Sequence, residues 1–494
     1  MKKNKMKTGK KKSFKWLWGN WDKLILALMV GVYVVLFSYL SIRRHNAFFS
    51  GYDLANMDQV IWNSLHGRLF LLTSGELGTV SRLQFHADFI LVLLAPLYIL
   101  WNNVRALLVF QSLALGLGAI PLYLIGKLVL KDKLLALGVV GLYLLNPGMQ
   151  WTNMYDFHGV ALAIPLLLGA FWAGISRRWR GFLILSFLAA LTKEEVSLLV
   201  AAMAGLFFLW GKGKKSNKKR GFYLLVAVVG ALWFGAMVFW LMPKFSVAGQ
   251  HWAWEWFDGM GPGKAGKFEI SGFGFLLPRL REAKLYYREL LEPFGYLPLL
   301  GLPWLLLGLP EFMINMFSNQ GQMRSVVMHY DSGLVPALAI ASVFALFYLK
   351  RFLQFLKIKW GSIVLVGVLL LAGAMGAKRA YFYSPTPLTP GHWRAMYEVG
   401  ETEREFEKLL QGLPKDASIA SSSEIRPHIN HREFSYNLPA GEEVDYVAML
   451  DKNRLVGDVN IKPYEKVLIE KLEVSEDYEK LYERDGFYLF GRKK

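Results

Sequence analysis

The chain has 494 residues, of which 54% are hydrophobic and only 19% charged, and it carries a formal net charge of +19 with no cysteine. Charged residues thus fall below the roughly one quarter usual in soluble domains, and uncharged stretches such as Leu24–Leu40, 221–242 and 361–377 approach or reach the length needed to cross a bilayer. This excludes an ordinary soluble protein, and the missing cysteines exclude disulfides, thiolate metal sites and a cysteine nucleophile.

The positive charge is placed for a membrane and not for nucleic acid. Residues 1–15 hold eight lysines and no acid, and residues 211–220 hold six more basic groups. Arg177, Arg178 and Arg180 form a third cluster, and Lys350, Arg351, Lys357 and Lys359 a fourth. Each lies in a short segment beside an apolar span, the cytoplasmic bias of the positive-inside rule. The N-terminal apolar stretch is too long for a cleaved signal and lacks a small-residue cleavage site.

With those clusters fixed inside, span parity sets the topology. A span at 24–42 leads out; 106–129 and 134–150 form a hairpin turning inside at Lys131-Asp132-Lys133; 159–176 returns to the arginine cluster. Residues 181–210 read as two short spans turning at Lys193-Glu194-Glu195, and 221–243 leads out again. The scheme requires that 88–101, at 14 residues, does not fully cross, and that 294–318, broken by Pro298, Pro303 and Pro310, goes in and comes back. Spans at 334–350 and 359–377 bring the count to about eleven.

Beyond residue 378 the character changes. From Glu398 onward there are 21 of the 38 acidic residues. Residues 401–411 have the periodicity of an amphipathic helix, and Ala417–Ser421, Val444–Leu450 and Gly486–Phe490 that of short strands. The chain therefore divides into a basic cytoplasmic N-terminus (1–23), a transmembrane helical domain (24–378) and a small α/β exocytoplasmic domain (379–494) without a nucleotide-binding glycine motif.

Parity also puts the polar motifs on the outer surface. Residues 53–66 (DLANMDQVIWNSLH) have helical apolar spacing and predict an amphipathic helix on the membrane. Asp53 stands where an N-cap belongs, which gives it a structural role as readily as a chemical one, and Asp58 follows more than a turn later. His86 with Asp88, and Asp156 with His158, are His/Asp pairs that can hold a divalent metal, orient a phosphate or merely bond loop carbonyls. Lys193 and Glu194 are ionisable groups at membrane depth and so functional candidates. Arg324, His329 and Tyr330 precede the span at 334 and can close the same pocket. HWAWEWFDG (251–259) offers an interfacial aromatic belt or a surface for stacking a sugar.

The motifs YDLANMDQVIWNSLHGRLF, FHADFILVLLAPLYILW, DFHG, TKEE, MHYDSGLVP and SSSEIRPHINHREFSYNLP together resemble a large prokaryotic family of multi-spanning membrane proteins of unknown function, assigned to the GT-C superfamily of glycosyltransferases. The resemblance covers nearly the whole chain. It implies a polyprenyl-phosphate-linked sugar as donor, an exocytoplasmic glycan, lipid or protein as acceptor, and an acidic residue of the first outer loop as catalytic carboxylate. Carried over, that residue is Asp53, which lies 14 residues before Gly67, with Asp58 second; the paired Asp-Glu of some relatives is missing. Arg68, Arg82, Lys193 and Arg324 become candidates to hold the lipid phosphate. His86, Asp156, His158, Glu194, His329 and Tyr330 become candidates to orient the sugar or a divalent metal. The competing class is a lipid or solute transporter, against which stand the absence of a repeat and the clustering of polar motifs at one surface.

Overall fold

The structure is a computed structural model that describes residues 2–75, 78–210, 217–257, 260–262, 268–270, 274–440, 443–451 and 463–493, without the side chains of 2–18, 217–219, 260–262, 268–270 and 463. The lysines of 1–15, most of the basic cluster at 211–220, and Asp258 lie outside the described side chains.

Among the described residues, five helices are long and apolar enough to cross a membrane: Gly19–Asn46, Arg105–Leu130, Arg220–Phe245, Leu334–Phe355 and Gly361–Tyr383. A sixth crossing, read at 134–150 as one span, is a pair, Lys133–Leu144 and Pro147–Met154, bent by 49°. The break has a local cause. Pro147 lacks an N–H, and the Asn146 side chain caps the second half by accepting the Met149 N–H at 2.9 Å. Shorter apolar helices follow at Gly159–Ile175, Trp179–Ala190 and Val196–Trp210, with the turn at 191–195 where the charged triplet stands. Ile90–Leu100 has 11 helical residues at most, a length of about 16 Å, half of a hydrocarbon core.

The proline-broken segment folds back on itself, as parity requires. Gly295 (φ +58°) approaches Ala372 so closely that a Cβ would lie 2.5 Å from the alanine Cβ, and a Cβ on Gly301 would meet the Ala341 carbonyl oxygen at 2.0 Å. The chain next places Trp304 beside Phe344 (4.6 Å), Trp210 (5.6 Å) and the Tyr348 hydroxyl. It then returns, so that Gly308 lies against Leu334 and Ala337. A descent from the level of residue 334 to that of residue 348 is about 20 Å along a helix.

The two ends of the bundle differ. At one, Asp22 pairs with Lys133 (2.9 Å) and accepts the Tyr123 hydroxyl, while Lys350 donates to the Leu130 carbonyl at 2.7 Å. The other gathers residues 46–53, 82–88, 155–158, 192–195, 251–257 and 322–331.

Residues 401–493 add a five-stranded mixed sheet to that second end. Two hairpins precede it: β1 (Leu71–Ser74) with β2 (Gly78–Ser81), and β3 (Met260–Pro262) with β4 (Phe268–Ile270). The sheet comprises β5 (Ile419–Ser421), β6 (Ser435–Asn437), β7 (Tyr446–Leu450), β8 (Tyr478–Arg484) and β9 (Phe487–Arg492), in the order β6-β5-β7-β9-β8. Helix Glu401–Gly412 matches the amphipathic stretch, burying Phe406 and Leu410 against Ile419, Phe487 and Leu489. β6, β8 and the helix Pro463–Glu473 were not anticipated: β6 spans only three residues, and the exposed β8 (YEKLYER) is mostly polar.

The polar face of the Tyr52–Leu65 helix is not open to solvent. Ten of its 14 residues are buried, because the C-terminal unit covers the face that the amphipathic pattern leaves polar. Arg426, fully buried, donates to Asn56 Oδ1 (2.9 Å), Gln59 Oε1 (2.8 Å), the Thr73 carbonyl (2.6 Å) and the Ser435 carbonyl (3.0 Å). Asn430 donates to the Ala55 carbonyl, and His431 contacts Asp58 at 2.8 Å. Nearby, His428 is stacked between His45 (4.0 Å) and Phe48 (3.9 Å). Among the described residues no carboxylate bonds to Arg426, and burial lowers its pKa to about 10. Arg426→Met should remove four buried hydrogen bonds, leaving Asn56 Oδ1 without its donor, and destabilise the protein by about 3 kcal/mol or more. The check is a lower thermal midpoint in detergent together with faster proteolysis beyond residue 378; an unchanged midpoint would show that this contact does not hold the C-terminal unit.

Candidate active site

At the sheet-bearing end of the bundle lies a cavity of about 660 Å³, within the usual range for small-molecule sites. One part is polar, lined by Tyr52, Asp53, Asn56, Arg82, His86, His158, Lys193, Glu194, Glu195, His251, His329 and Tyr330. The other is apolar, lined by Phe234, Val238 and Phe239 of the helix that carries a π-helical turn at Met237–Leu241, by Trp252, Trp254, Trp256 and Phe257, and by Ile314 and Phe317.

Asp53 is not a cap. The helix begins at Tyr52, its N-cap is Gly51, and no side chain caps it; the Gly51 N–H instead donates to Asp156 Oδ2 at 2.9 Å. The Asp53 carboxylate faces the cavity, 37% accessible there, with Oδ2 at 3.5 Å from His158 Nε2. Burial opposes its ionisation, but His158, Arg82 and His86 outweigh that and hold its pKa below the ordinary carboxylate value.

Arg82 and Lys193 bring the positive charge. Arg82 is bidentate to Asp88 through Nε and Nη2 (3.0 and 2.8 Å), and its Nη1 makes no hydrogen bond among the described residues. Lys193 pairs with Glu195 at 2.7 Å. Burial disfavours the ammonium, yet Glu195 and Glu194 raise its pKa, so it stays charged.

Glu194 is an anchor. It accepts from His86 Nδ1 (2.9 Å) and the Ala87 N–H (3.0 Å), and His251 Nε2 stands 4.0 Å away. Burial opposes its charge, but His86, Lys193 and His251 depress its pKa below the usual range. His251 Nδ1 accepts the Ala253 N–H at 3.1 Å, so the ring proton of the neutral imidazole sits on Nε2 and faces Glu194. Burial holds His251 neutral, with a pKa of about 4. The two sequence pairs also diverge: His86 turns to Glu194 while Asp88 turns to Arg82, and His158 turns to Asp53 while Asp156 pairs with Arg44 at 2.6 Å. Among the described residues no group of three metal-ligating side chains is assembled.

A family model now decides the relationship, matching residues 44–489 under the description "Predicted membrane protein (DUF2079)". The chain belongs to the DUF2079 family. No curated protein matches it. Among solved structures it is similar to the crystal structure of ArnT from Cupriavidus metallidurans bound to undecaprenyl phosphate, at 9% identity and a TM-score of 0.52, over 96% of this chain and 97% of that one. At that identity the likeness concerns the fold alone. This DUF2079 member is a membrane protein of GT-C-like fold with a small C-terminal sheet.

Of the candidates read from the sequence, the cavity collects Asp53, Arg82, His86, His158, Lys193, Glu194, His329 and Tyr330. Four lie elsewhere. Asp58 is fully buried and accepts from Tyr98 and His431. Arg68 bonds Asn63 and approaches Glu433 at 3.4 Å, lying over Trp62. Arg324 donates to the Asn315 and Ser318 carbonyls. Asp156 is a structural partner of Arg44 and Gly51. Asn56, Tyr52 and Tyr155 line the cavity and were not singled out; Asn56, one helical turn after Asp53, was legible from its spacing. Asp58→Asn replaces the charged acceptor of two buried hydrogen bonds by a neutral one and should cost about 1–2 kcal/mol, whereas Asp53→Asn should leave the melting temperature within a degree or two of wild type. Melting curves of the purified variants check this, and the reverse order would contradict the assignment of Asp58 to structure and Asp53 to the cavity.

Proposed function

We propose that this protein is a membrane glycosyltransferase that moves a sugar from a polyprenyl-phosphate donor to an exocytoplasmic acceptor, with Asp53 as general base. The observation that carries the reading is an uncapped carboxylate facing a cavity that also holds two cations and ends in an apolar wall. The likeness to ArnT, whose crystal structure holds undecaprenyl phosphate, supports a polyprenyl phosphate as the lipid partner.

In the step, the acceptor hydroxyl gives its proton to Asp53 as its oxygen bonds the sugar's anomeric carbon. The bond from that carbon to the lipid phosphate breaks, and the phosphate leaves with the electron pair. Lys193 and the free edge of Arg82 face the charge that develops on it. The apolar wall at Phe234, Val238, Phe239 and Phe317 suits the first isoprene units, with the chain continuing into the bilayer. The positive-inside reading of the basic clusters places this cavity on the outer face, where no nucleotide sugar is available.

Asp53→Asn should lower transfer by a factor of about 10²–10⁴, the usual worth of a general base, without weakening donor binding. Lys193→Met should weaken binding of undecaprenyl phosphate, whereas Arg68→Ala should not, since Arg68 lies outside the cavity. The check uses membranes carrying wild type or variant and a panel of labelled polyprenyl-phosphate sugars. No transfer by wild type from any donor, or equal transfer by wild type and Asp53→Asn, would overturn the reading.

A further inference from the structure

Two chain segments far apart in sequence meet at Asp53, and one carboxylate ties them. Asp156 accepts the Gly51 N–H at 2.9 Å, two residues before Asp53, and it also pairs with Arg44. Two residues after Asp156, His158 turns its ring to Asp53. The turn between them is strained: Asp156 has φ +83°, a region that a non-glycine residue holds only where its surroundings impose it. They do so here. Buried Gln111 donates to the Asp156 carbonyl at 2.8 Å and accepts the His158 N–H at 2.9 Å, pinning both ends of the turn.

The His158 ring is held flat as well. It stacks on His329 at 3.9 Å and 21°, with Tyr155 at 5.6 Å on the same cluster. It is 4% exposed, and among the described residues neither ring nitrogen makes a hydrogen bond; Nε2 stands 3.5 Å from Asp53 Oδ2. A strained turn, a pinned backbone and a stacked ring together hold the His158 ring with Nε2 on the side of the Asp53 carboxylate.

We propose that His158 is a positioning residue for Asp53: its Nε2–H holds Oδ2, fixing the carboxylate so that Oδ1 is the oxygen presented to the acceptor, while His329 clamps the ring that does so. The proposal rests on the reading of Asp53 as base, and it reassigns His158 and His329 from the sugar to the carboxylate. The neutral ring suffices, the acceptor proton ending on Asp53 and the ring proton staying on Nε2. The other titratable groups around Asp53 are Arg82, His86, Tyr155, Asp156 and Tyr330. Of these, Tyr155 touches the His158 ring, and an aromatic residue at 158 keeps that stack.

The test measures the carboxylate itself and needs no sugar donor. The full-length protein in detergent is treated with a water-soluble carbodiimide and glycine ethyl ester, which amidate protonated carboxyls, and labelling at Asp53 is followed by mass spectrometry. Asp53→Asn identifies the site. His158→Phe keeps the stack and removes the N–H, so Asp53 should label about tenfold faster near about pH 6, the change that one pKa unit produces. His158→Gln, whose amide N–H also reaches a carboxylate, should stay close to wild type. Equal labelling of wild type and His158→Phe, with both melting cooperatively, would overturn the proposal. Should His158→Phe not fold, His329→Ala takes its place: releasing the ring should accelerate labelling, and no acceleration would equally overturn it. A failure of sugar transfer leaves this measurement readable, so the two ideas fall separately.

Discussion

The Asp156 carboxylate is the contact on which the site depends. In one residue it joins the first long helix through Arg44, the start of the Asp53 helix through the Gly51 N–H, and the loop that delivers His158. Its own backbone is strained, and the strain is sustained because Gln111 holds the Asp156 carbonyl and the His158 N–H while Arg44 holds the carboxylate. A bundle of apolar helices has little with which to position a polar residue except such junctions. Where charges enter a low-dielectric setting they must be paired, and here each pair also fixes a loop: Arg82 with Asp88, Glu194 with His86, Lys193 with Glu195.

The Asp53 helix is held from the opposite side by the C-terminal unit. Arg426 reaches Asn56, Gln59 and the β1 backbone at once, so the sheet is part of the frame of the cavity and not an appendage to it. Because Asn56 Oδ1 accepts from Arg426, its amide nitrogen is left as the end that faces the cavity. A residue 370 positions away thereby sets which hydrogen-bonding group stands one turn after Asp53.

Much of this was legible in the sequence. Each polar motif interrupts or ends an apolar stretch, so counting crossings from the basic clusters sorted DFHG, TKEE and MHYD to one end of the bundle, and their side chains do meet in one cavity. The same counting required 88–101 to stop short and 294–318 to fold back, and both do. The directions of side chains were not legible. Asp53 and Asp58 are five residues apart, about 140° around a helix, so one faces the cavity while the other faces Tyr98 and His431; spacing alone does not say which. His86/Asp88 and Asp156/His158 read as pairs, but alternate residues of an irregular loop need not point together, and these point apart. The docking of Arg426 on Asn56 is a long-range contact that leaves no local trace, and for that reason the cover over the polar face of the Asp53 helix was not legible.

The central claim is that the cavity binds a polyprenyl phosphate with its phosphate between Arg82 and Lys193 and beside Asp53. An electron cryomicroscopy map of the protein in nanodiscs with undecaprenyl phosphate tests it most directly. The account predicts phosphate density in contact with both Lys193 and the free edge of Arg82, and chain density along Phe234, Val238 and Phe239. Lipid phosphate bound elsewhere, with the cavity occupied by water alone, would contradict it.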